Sequence, residues 1–187
     1  MSKGKLFVIS GASGVGKSTV LRQVMNARTD LRFSVSATTR APRPGEVEGE
    51  SYYFVTKEAF RELIATGQML EYDFHNETYY GTPAKQLDEK LQTGHVVLDI
   101  EPNGAFHVRA VRPDATLIFV MPPSFAELER RLRGRGDTSE GQMRLRLDRA
   151  QWEMEQSKQY DFVVVNDDVE RCAQEILNII ASKADEK

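Results

Sequence analysis

The chain has 187 residues, of which 40% are hydrophobic and 28% are charged, and its formal net charge is −3. This length suffices for one hydrophobic core with small inserted subdomains and is too short for two large domains. The acidic balance disfavours nucleic acid as a partner, because nucleic-acid-binding domains usually carry a basic surface.

A single cysteine, Cys172, excludes an internal disulfide bond and is typical of a reducing compartment. The apolar run near the start, Leu6 to Ile9, is too short for a signal-peptide core or a membrane span. We therefore expect a cytoplasmic protein without a membrane partner, and its oligomeric state stays open.

The first predicted elements are a buried strand, a glycine-rich loop and a helix. Leu6 to Ser10 is a short apolar run, and apolar residues recur at helical spacing after the loop, at Val20, Leu21, Val24 and Met25. Further apolar runs predict core strands at residues 95–100, 115–121 and 162–165. Helices are predicted to begin at Pro83, Ser124, Ser139 and Val169. This alternation predicts an α/β fold in which helices flank a parallel sheet.

Two segments interrupt the alternation. In the first, extended segments are predicted at residues 33–36, 52–55, 69–74 and 78–80, with one helix between Thr56 and Gly67. In the second, Gly134 and Gly136 separate an arginine-rich helix from a helix with an apolar stripe of Met143, Leu147, Ala150 and Met154. We predict an inserted subdomain at about 33–85 and a small helical lid at about 126–149. The core then comprises residues of about 1–32, 86–125 and 150–187.

The segment Gly11-Ala12-Ser13-Gly14-Val15-Gly16-Lys17-Ser18 has the Gly-x-x-x-x-Gly-Lys-Ser pattern of a phosphate-binding loop. Its glycines let backbone N–H groups converge on phosphate oxygens, and the following helix N-terminus adds partial positive charge. Lys17 can reach the β- and γ-phosphates, and the Ser18 hydroxyl can ligate Mg²⁺. The pattern also lies between a predicted strand and a predicted helix. We therefore predict that this loop, together with Thr19, binds the phosphates of ATP.

Beyond the loop, seven blocks in order make the chain similar to the guanylate kinase family, from about Lys5 to the last helix. The blocks are 34–46, with Arg40-x-Pro42-Arg43, then Gly49-x-x-Tyr52, Glu71, Tyr79-Tyr80-Gly81-Thr82, Leu98-Asp99-Ile100, 131–136 with Arg131 and Arg135, and Val165-Asn166-Asp167. The resemblance implies a P-loop NTPase core with an inserted GMP-binding subdomain and a helical lid. It also implies transfer of the γ-phosphate of ATP to GMP, with Mg²⁺, and dGMP as a further acceptor.

The resemblance assigns a GMP site. Arg40 and Arg43 can hold the phosphate of GMP through bidentate guanidinium contacts, assisted by the hydroxyl groups of Tyr52 and Tyr80. Glu71 corresponds to the glutamate that recognises guanine, since a carboxylate accepts bonds from both N1–H and the exocyclic amine. Adenine offers no such pair of donors on that edge. The family's hydroxyl groups near the base oxygen match Ser36 and Thr82.

Two acids after the apolar strand at 95–100 complete the implied site. Asp99 ends this strand in the manner of a Walker B acid and can order Mg²⁺ through water. Glu101 stands where the family usually carries Asp near the guanine. After this position the family commonly has a Gln-Gly pair. This chain departs from that pattern and has Pro102-Asn103-Gly104.

The lid is expected to supply cations. Phosphoryl transfer develops charge on the equatorial oxygens, which positioned arginines stabilise. The resemblance gives this role to Arg131, Arg135 and Arg146, which together with Lys17 are the predicted catalytic residues. Asn166 matches a family position near the ATP base and the lid.

Three other interpretations stay open at this point. An RNA-binding patch is disfavoured by the acidic net charge, and a kinase acting on a ribose bisphosphate is disfavoured by Glu71. A peptide-binding scaffold module is disfavoured by the intact phosphate loop. Cys172 and Trp152 are interpreted as packing residues. The three histidines have no metal-ligand spacing, so none of them is interpreted as a ligand or a base: His75, His95 and His107.

Overall fold

The structure is a computed structural model that describes residues 4–75, 77–134 and 139–185. The backbone forms two compact units. Unit 1 comprises Met1–Leu6 and Asp30–Ala115, and unit 2 comprises Phe7–Thr29 and Thr116–Lys187.

The secondary structure of the described residues alternates between strands and helices, as the sequence predicts. The helices are α1 (Lys17–Ala27), α2 (Lys57–Ala65), α3 (Ala84–Leu91), α4 (Pro102–Val111), α5 (Phe125–Arg133), α6 (Glu140–Gln156) and α7 (Val169–Asp185). The strands are β1 (Leu6–Gly11), β2 (Leu31–Phe33), β3 (Ala37–Thr38), β4 (Tyr53–Phe54), β5 (Met69–His75), β6 (Thr78–Pro83), β7 (His95–Asp99), β8 (Thr116–Met121) and β9 (Phe162–Val165).

Unit 2 has a parallel sheet in the order β1-β8-β9. Phe7 is paired with Thr116 and Ile118 with Phe162, so the carboxyl ends of these strands lie at one edge. β1 and β8 are continuous apolar runs because parallel strands are covered on both faces. Helix α1 packs against α7, and both bury apolar residues, among them Val20, Val24, Ile176 and Ile180.

Unit 1 contains the parallel pair β2 and β7 and a second, mixed sheet in the order β4-β3-β6-β5. In the mixed sheet β6 runs antiparallel to both β3 and β5, whereas β3 and β4 are parallel. Phe60 of α2 is fully buried and stacks on Tyr79 of β6, with ring centroids 5.1 Å apart. Helix α4 packs against β5 and thereby covers the strand that carries Glu71.

The predicted α/β fold with helices beside parallel strands is confirmed, and two details differ. The second strand is Leu31–Phe33 rather than 33–36, because its register with β7 pairs Leu31 with His95 and Phe33 with Val97. Helix α4 was not predicted, although Pro102 at its first turn is a known start signal.

None of the described helices is long and apolar enough to cross a membrane.

The packing interpretations of two single residues come out differently. Cys172 is fully buried, and burial raises the pKa of its thiol to about 12, which confirms its interpretation as a packing residue. Trp152 is 41% exposed, so its interpretation as a packing residue is wrong. On α6 the buried positions are Met143, Ala150 and Glu153 rather than the full predicted stripe, in which Leu147 and Met154 are only half-buried.

Candidate nucleotide-binding residues of the two units

The glycine-rich loop of unit 2 joins the end of β1 to the start of α1. Gly14 and Gly16 have φ angles of 87° and 94°, in the left-handed region that favours glycine. A Cβ atom at Gly14 would lie 2.5 Å from Leu132 Cδ2, and one at Gly16 would lie 2.9 Å from Asn166 Nδ2. No side chain caps α1 at Gly16, which suits a helix N-terminus that receives an anion.

Bonds from distant residues hold the loop in place. Within the loop, Val15 N donates to Ala12 O over 3.0 Å. The carbonyl oxygen of Val15 accepts bonds from Asn166 Nδ2 at 2.8 Å and from Arg131 Nη1 at 3.1 Å. Ser13 N donates to the carboxylate of Glu153 over 2.8 Å. A flexible glycine-rich segment is therefore bonded to three side chains from other parts of unit 2.

Arg131 and Asn166, both predicted site residues, lie beside this loop. Asn166 follows β9, is 2% exposed, and donates its backbone N–H to Met121 O over 2.8 Å. Arg131 donates to Glu127 at 2.8 Å and to Asn166 O at 3.2 Å. Arg130 and Arg131 together lower the pKa of Glu127 to about 2. The guanidinium of Arg131 is thus oriented before any ligand binds.

The other predicted residues of unit 2 are more exposed. Lys17 is half-buried at the start of α1, and Ser18 and Thr19 are exposed in its first turn. Arg146 is exposed on α6. Arg135 lies outside the described residues.

In unit 1, Glu71 and Thr82 face each other across β5 and β6. Both side chains are buried, and Thr82 Oγ1 donates to Glu71 Oε1 over 2.7 Å. The pKa of Glu71 is raised to about 7, mainly by burial, and the negative charges of Asp73 and Glu101 raise it further. The bond from Thr82 opposes this shift. The carboxyl group therefore titrates near neutral pH.

The first turn of α4 approaches the Glu71 carboxylate closely. A Cβ atom added at Gly104 would lie 2.6 Å from Glu71 Oε2 and 3.2 Å from its Cδ. Only glycine permits this approach, and no pattern in the sequence had pointed to a role for Gly104. Glu101, the N-cap residue of α4, contributes charge near Glu71 but makes no side-chain bond to the helix N-terminus. Asn103 is exposed.

Unit 1 also contains a cluster of cationic and aromatic side chains around Arg40. The Arg40 guanidinium lies 5.4 Å from the Tyr52 ring centroid, and the rings of Tyr52 and Tyr80 are 6.1 Å apart. Arg40 is also hydrogen-bonded to Tyr80. Burial, with smaller contributions from Tyr80 and Asp99, raises the pKa of the Tyr52 hydroxyl. Asp99 therefore contributes negative charge near this cluster.

Glu46 is a further member of this cluster, although it is not among the predicted site residues. Its carboxylate accepts two bonds from Arg40, at 2.7 and 2.9 Å, and one from Arg43 N at 2.7 Å. These contacts lower the pKa of Glu46 to about 2 and raise that of Arg40. The side chain of Arg43 is exposed, and Ser36 lies between β2 and β3, where its carbonyl oxygen accepts a bond from Tyr53 N at 2.9 Å.

A phosphate loop between a parallel strand and a helix defines the class of P-loop nucleotide-binding proteins. The family model "Guanylate kinase" matches residues 3–183. A guanylate kinase of Trichormus variabilis is 50% identical over 176 residues, which cover 94% of this chain and 88% of that protein. One of Rubrobacter xylanophilus is 47% identical over 181 residues, 96% of this chain and 95% of that protein.

A solved structure agrees with these relatives. The crystal structure of guanylate kinase from Anaplasma phagocytophilum has a TM-score of 0.80 and 34% identity, and the match covers 100% of this chain and 89% of that chain. The chain belongs to the guanylate kinase family, as the ordered blocks of its sequence indicate.

Proposed function

We propose that the protein transfers the γ-phosphate of ATP to GMP and so produces ADP and GDP, the known reaction of the guanylate kinase family. The choice of guanine rests on one observation, which is the buried Glu71 carboxylate bonded to Thr82 at 2.7 Å. Guanine presents two adjacent N–H donors, and an ionised carboxylate offers two acceptor oxygens. Ser36 and Thr82 complete the proposed guanine site.

The donor half of the site comprises residues 11–19, Arg131 and Asn166 of unit 2. Lys17 and the loop N–H groups bind the phosphates of ATP, because they combine positive charge with converging donors. The two bonds that hold Val15 O keep the loop in shape without the nucleotide. Such preorganisation lowers the free-energy cost of binding.

The acceptor half comprises the predicted GMP-binding residues of unit 1. Arg40, Arg43, Tyr52 and Tyr80 bind the phosphate of GMP. The aromatic rings beside Arg40 and its bond to Tyr80 limit the orientations of the guanidinium group. The acceptor is an anionic phosphate oxygen, so no general base has to remove a proton. The chain's residues contribute by positioning and by electrostatic stabilisation.

Magnesium is part of this proposal. The exposed Ser18 hydroxyl and the half-buried Asp99 carboxylate are oxygen donors, which Mg²⁺ prefers, and Asp99 acts through water. When bound with ATP, the ion neutralises phosphate charge. Removal of Mg²⁺ by a chelator is expected to abolish turnover.

We further propose that residues of about 126–149 form a lid that closes over ATP. Arg131 and Arg146, with Arg135, then stabilise the negative charge that develops on the transferred group, and closure excludes water from the reaction. Cytoplasmic location and use of dGMP belong to the same proposal. The single buried cysteine supports a reducing compartment.

An assay of ATP with GMP, dGMP, AMP, CMP and UMP tests the reaction and its selectivity. We expect the highest kcat/KM with GMP, and an equal or better value with AMP contradicts the guanine assignment. Replacing Glu71 by Gln is expected to weaken GMP use more than ATP binding. Full GMP discrimination by this variant, measured by kinetics and calorimetry, contradicts the base-reading role. Tight phosphopeptide binding without turnover favours the scaffold-module alternative.

A further inference from the structure

Glu153 is a buried acid that the proposed reaction does not use. It lies on α6 with 3% of its surface exposed, on the face that also buries Met143 and Ala150. Acidic side chains are rarely buried to this extent unless they are paired, because burial disfavours the ionised form. Its position therefore points to a polar partner inside unit 2.

That partner is the phosphate loop. Glu153 Oε2 accepts a bond from Ser13 N at 2.8 Å, across 140 positions of the chain. Its other oxygen, Oε1, lies 3.3 Å from Arg149 Nε, one turn earlier on α6. Each carboxylate oxygen thus receives a different donor, and the donor from the loop is a backbone group.

A second buried polar group adjoins this contact. Tyr160 is 9% exposed, and its buried hydroxyl interacts with Ser10, the residue of β1 that precedes Gly11. Burial raises the pKa of the Tyr160 hydroxyl, and the charge of Glu153 contributes to the shift. The charge of Glu153 therefore acts on a second buried polar group near the start of the loop, while its own bond reaches Ser13.

The position of Ser13 in the loop makes its bond important. Ser13 precedes Gly14, whose φ of 87° turns the chain, and the other anchored residue, Val15, follows Gly14. Bonds to Ser13 and Val15 therefore fix the backbone on both sides of the turn. A loop that binds phosphate through N–H groups depends on their fixed directions, and glycines alone do not provide them.

We infer that Glu153 is a positioning residue for the phosphate loop: its carboxylate accepts the Ser13 N–H bond and holds the loop in the shape that binds ATP. This inference rests on the proposed role of the loop in ATP binding. Glu153 makes no contact with ATP in this role. Its negative charge repels phosphate, so its benefit is geometric, and a neutral acceptor of the same length can replace it.

The test uses the full chain with Glu153→Ala, Glu153→Asp and Glu153→Gln, and with Glu155→Ala as control, since Glu155 is exposed on the same helix. Loss of a bond to a charged group predicts a rise in the KM for ATP of roughly tenfold or more for Ala and Asp. Asp retains the charge but is too short to reach Ser13. The Gln variant is expected to stay within about threefold of the wild type, because its amide oxygen still accepts the bond. The KM for GMP is expected to stay unchanged in all four variants.

The backbone amide of Ser13 gives a readout independent of turnover. In the absence of nucleotide, its hydrogen exchange is expected to accelerate in the Ala and Asp variants and to stay slow in the Gln variant and the control. Two results would overturn the inference: an unchanged KM for ATP in a folded Ala or Asp variant, or equal losses for ATP and GMP that follow Tm alone. If the Ala variant does not fold, the comparison of Asp with Gln decides.

Failure of the proposed function can be distinguished from failure of this inference. If the wild type binds ATP in calorimetry but does not phosphorylate GMP, the reaction is wrong. The ATP affinities of the variants and the hydrogen exchange of the Ser13 amide then still test whether Glu153 positions the loop. If the wild type does not bind ATP, the inference fails together with the proposed function of the loop.

Discussion

The two halves of the proposed site are built from different kinds of groups. The donor half is built around the backbone of one contiguous segment, residues 11–19, with two left-handed glycines, and Arg131 and Asn166 lie beside it. The acceptor half uses side chains from separate elements, such as Arg40, Tyr52 and Tyr80, whose mutual positions depend on a mixed sheet. A backbone site can be recognised as a motif, whereas a side-chain site is defined only when the fold assembles it.

The halves also differ in how they are prepared for an anion. The loop donates a hydrogen bond to Glu153 and accepts hydrogen bonds from Asn166 and Arg131. The Arg40 guanidinium is instead paired with an internal anion, the carboxylate of Glu46. A phosphate that binds Arg40 has to share or replace this partner. In the donor half, hydrogen bonds fix the shape of the loop before an anion binds. In the acceptor half, the carboxylate of Glu46 compensates the charge of Arg40 until a phosphate binds.

The largest expected effect comes from removing the charge of the donor half. Lys17→Ala is expected to lower kcat/KM by about a thousandfold or more, because the lysine stabilises charge on the transferring phosphate. GMP affinity, measured by calorimetry, is expected to change little if the halves bind independently. Lys158→Ala, at an exposed position of unit 2, is the control. A large loss of GMP affinity in Lys17→Ala contradicts the separation of the halves.

Gly104→Ala addresses the acceptor half alone. The added methyl group lies within 2.6 Å of Glu71 Oε2, so the carboxylate has to move. We expect the KM for GMP to rise by roughly tenfold to a hundredfold, as for other misplaced binding groups, with the KM for ATP unchanged. Gly141→Ala is a matched control, since a Cβ atom there meets nothing within 4 Å and the residue is also helical. Normal GMP use by Gly104→Ala rules out this steric role.

The raised pKa of Glu71 predicts a pH dependence that only the acceptor half has. Guanine needs the ionised carboxylate, so the Kd for GMP is expected to rise about tenfold per unit as the pH falls below about 7. Above that pH the Kd should be constant. Glu71→Gln is the control, because it keeps the titration of the GMP phosphate, whose second pKa is about 6. If the Kd for GMP has the same pH profile in the wild type and in Glu71→Gln, Glu71 is not the group whose ionisation controls GMP binding.

The same shift has a consequence for stability with a defined sign. A buried carboxyl group whose pKa is raised from 4.5 to about 7 favours the folded state in its neutral form. Its stabilising contribution is complete below pH 4.5 and is lost as the pH rises to about 7. Relative to Glu71→Gln, the Tm of the wild type is therefore expected to fall across this interval. A difference that stays constant between pH 4.5 and 7 contradicts the raised pKa.

The smallest expected effect concerns the first lid helix. Ser124 Oγ accepts a bond from Glu127 N at 3.1 Å, so Ser124→Ala is expected to lower the free energy of unfolding by about 1 kcal/mol. Ser139→Ala, where the corresponding bond to Gln142 N is 3.4 Å long, is expected to cost less. Urea unfolding measures both, and GMP affinity should stay constant. The reverse order of the two losses contradicts the assignment of cap strength from bond length.

Much of the fold follows from local patterns. The apolar runs predict β7, β8 and β9 to within a residue at each end, because their covered faces require continuous hydrophobic sequence. Helix α4 was missed because Gly104 and Asn103 are weak helix formers and its start signal is only Pro102. Pairing with β7 moves the second strand to Leu31–Phe33, which no local signal specifies.

The sequence by itself determined the phosphate loop, the family and the residue types available to each half of the site. The spacing of glycine, lysine and serine in residues 11–18 is enough to indicate the loop, because the backbone geometry of eight consecutive residues depends on the glycines among them. Only the tertiary structure decided that Glu153 bonds to Ser13 and that Gly104 meets Glu71. These contacts join residues far apart in the chain, and their existence depends on how helices pack and strands pair rather than on any local pattern.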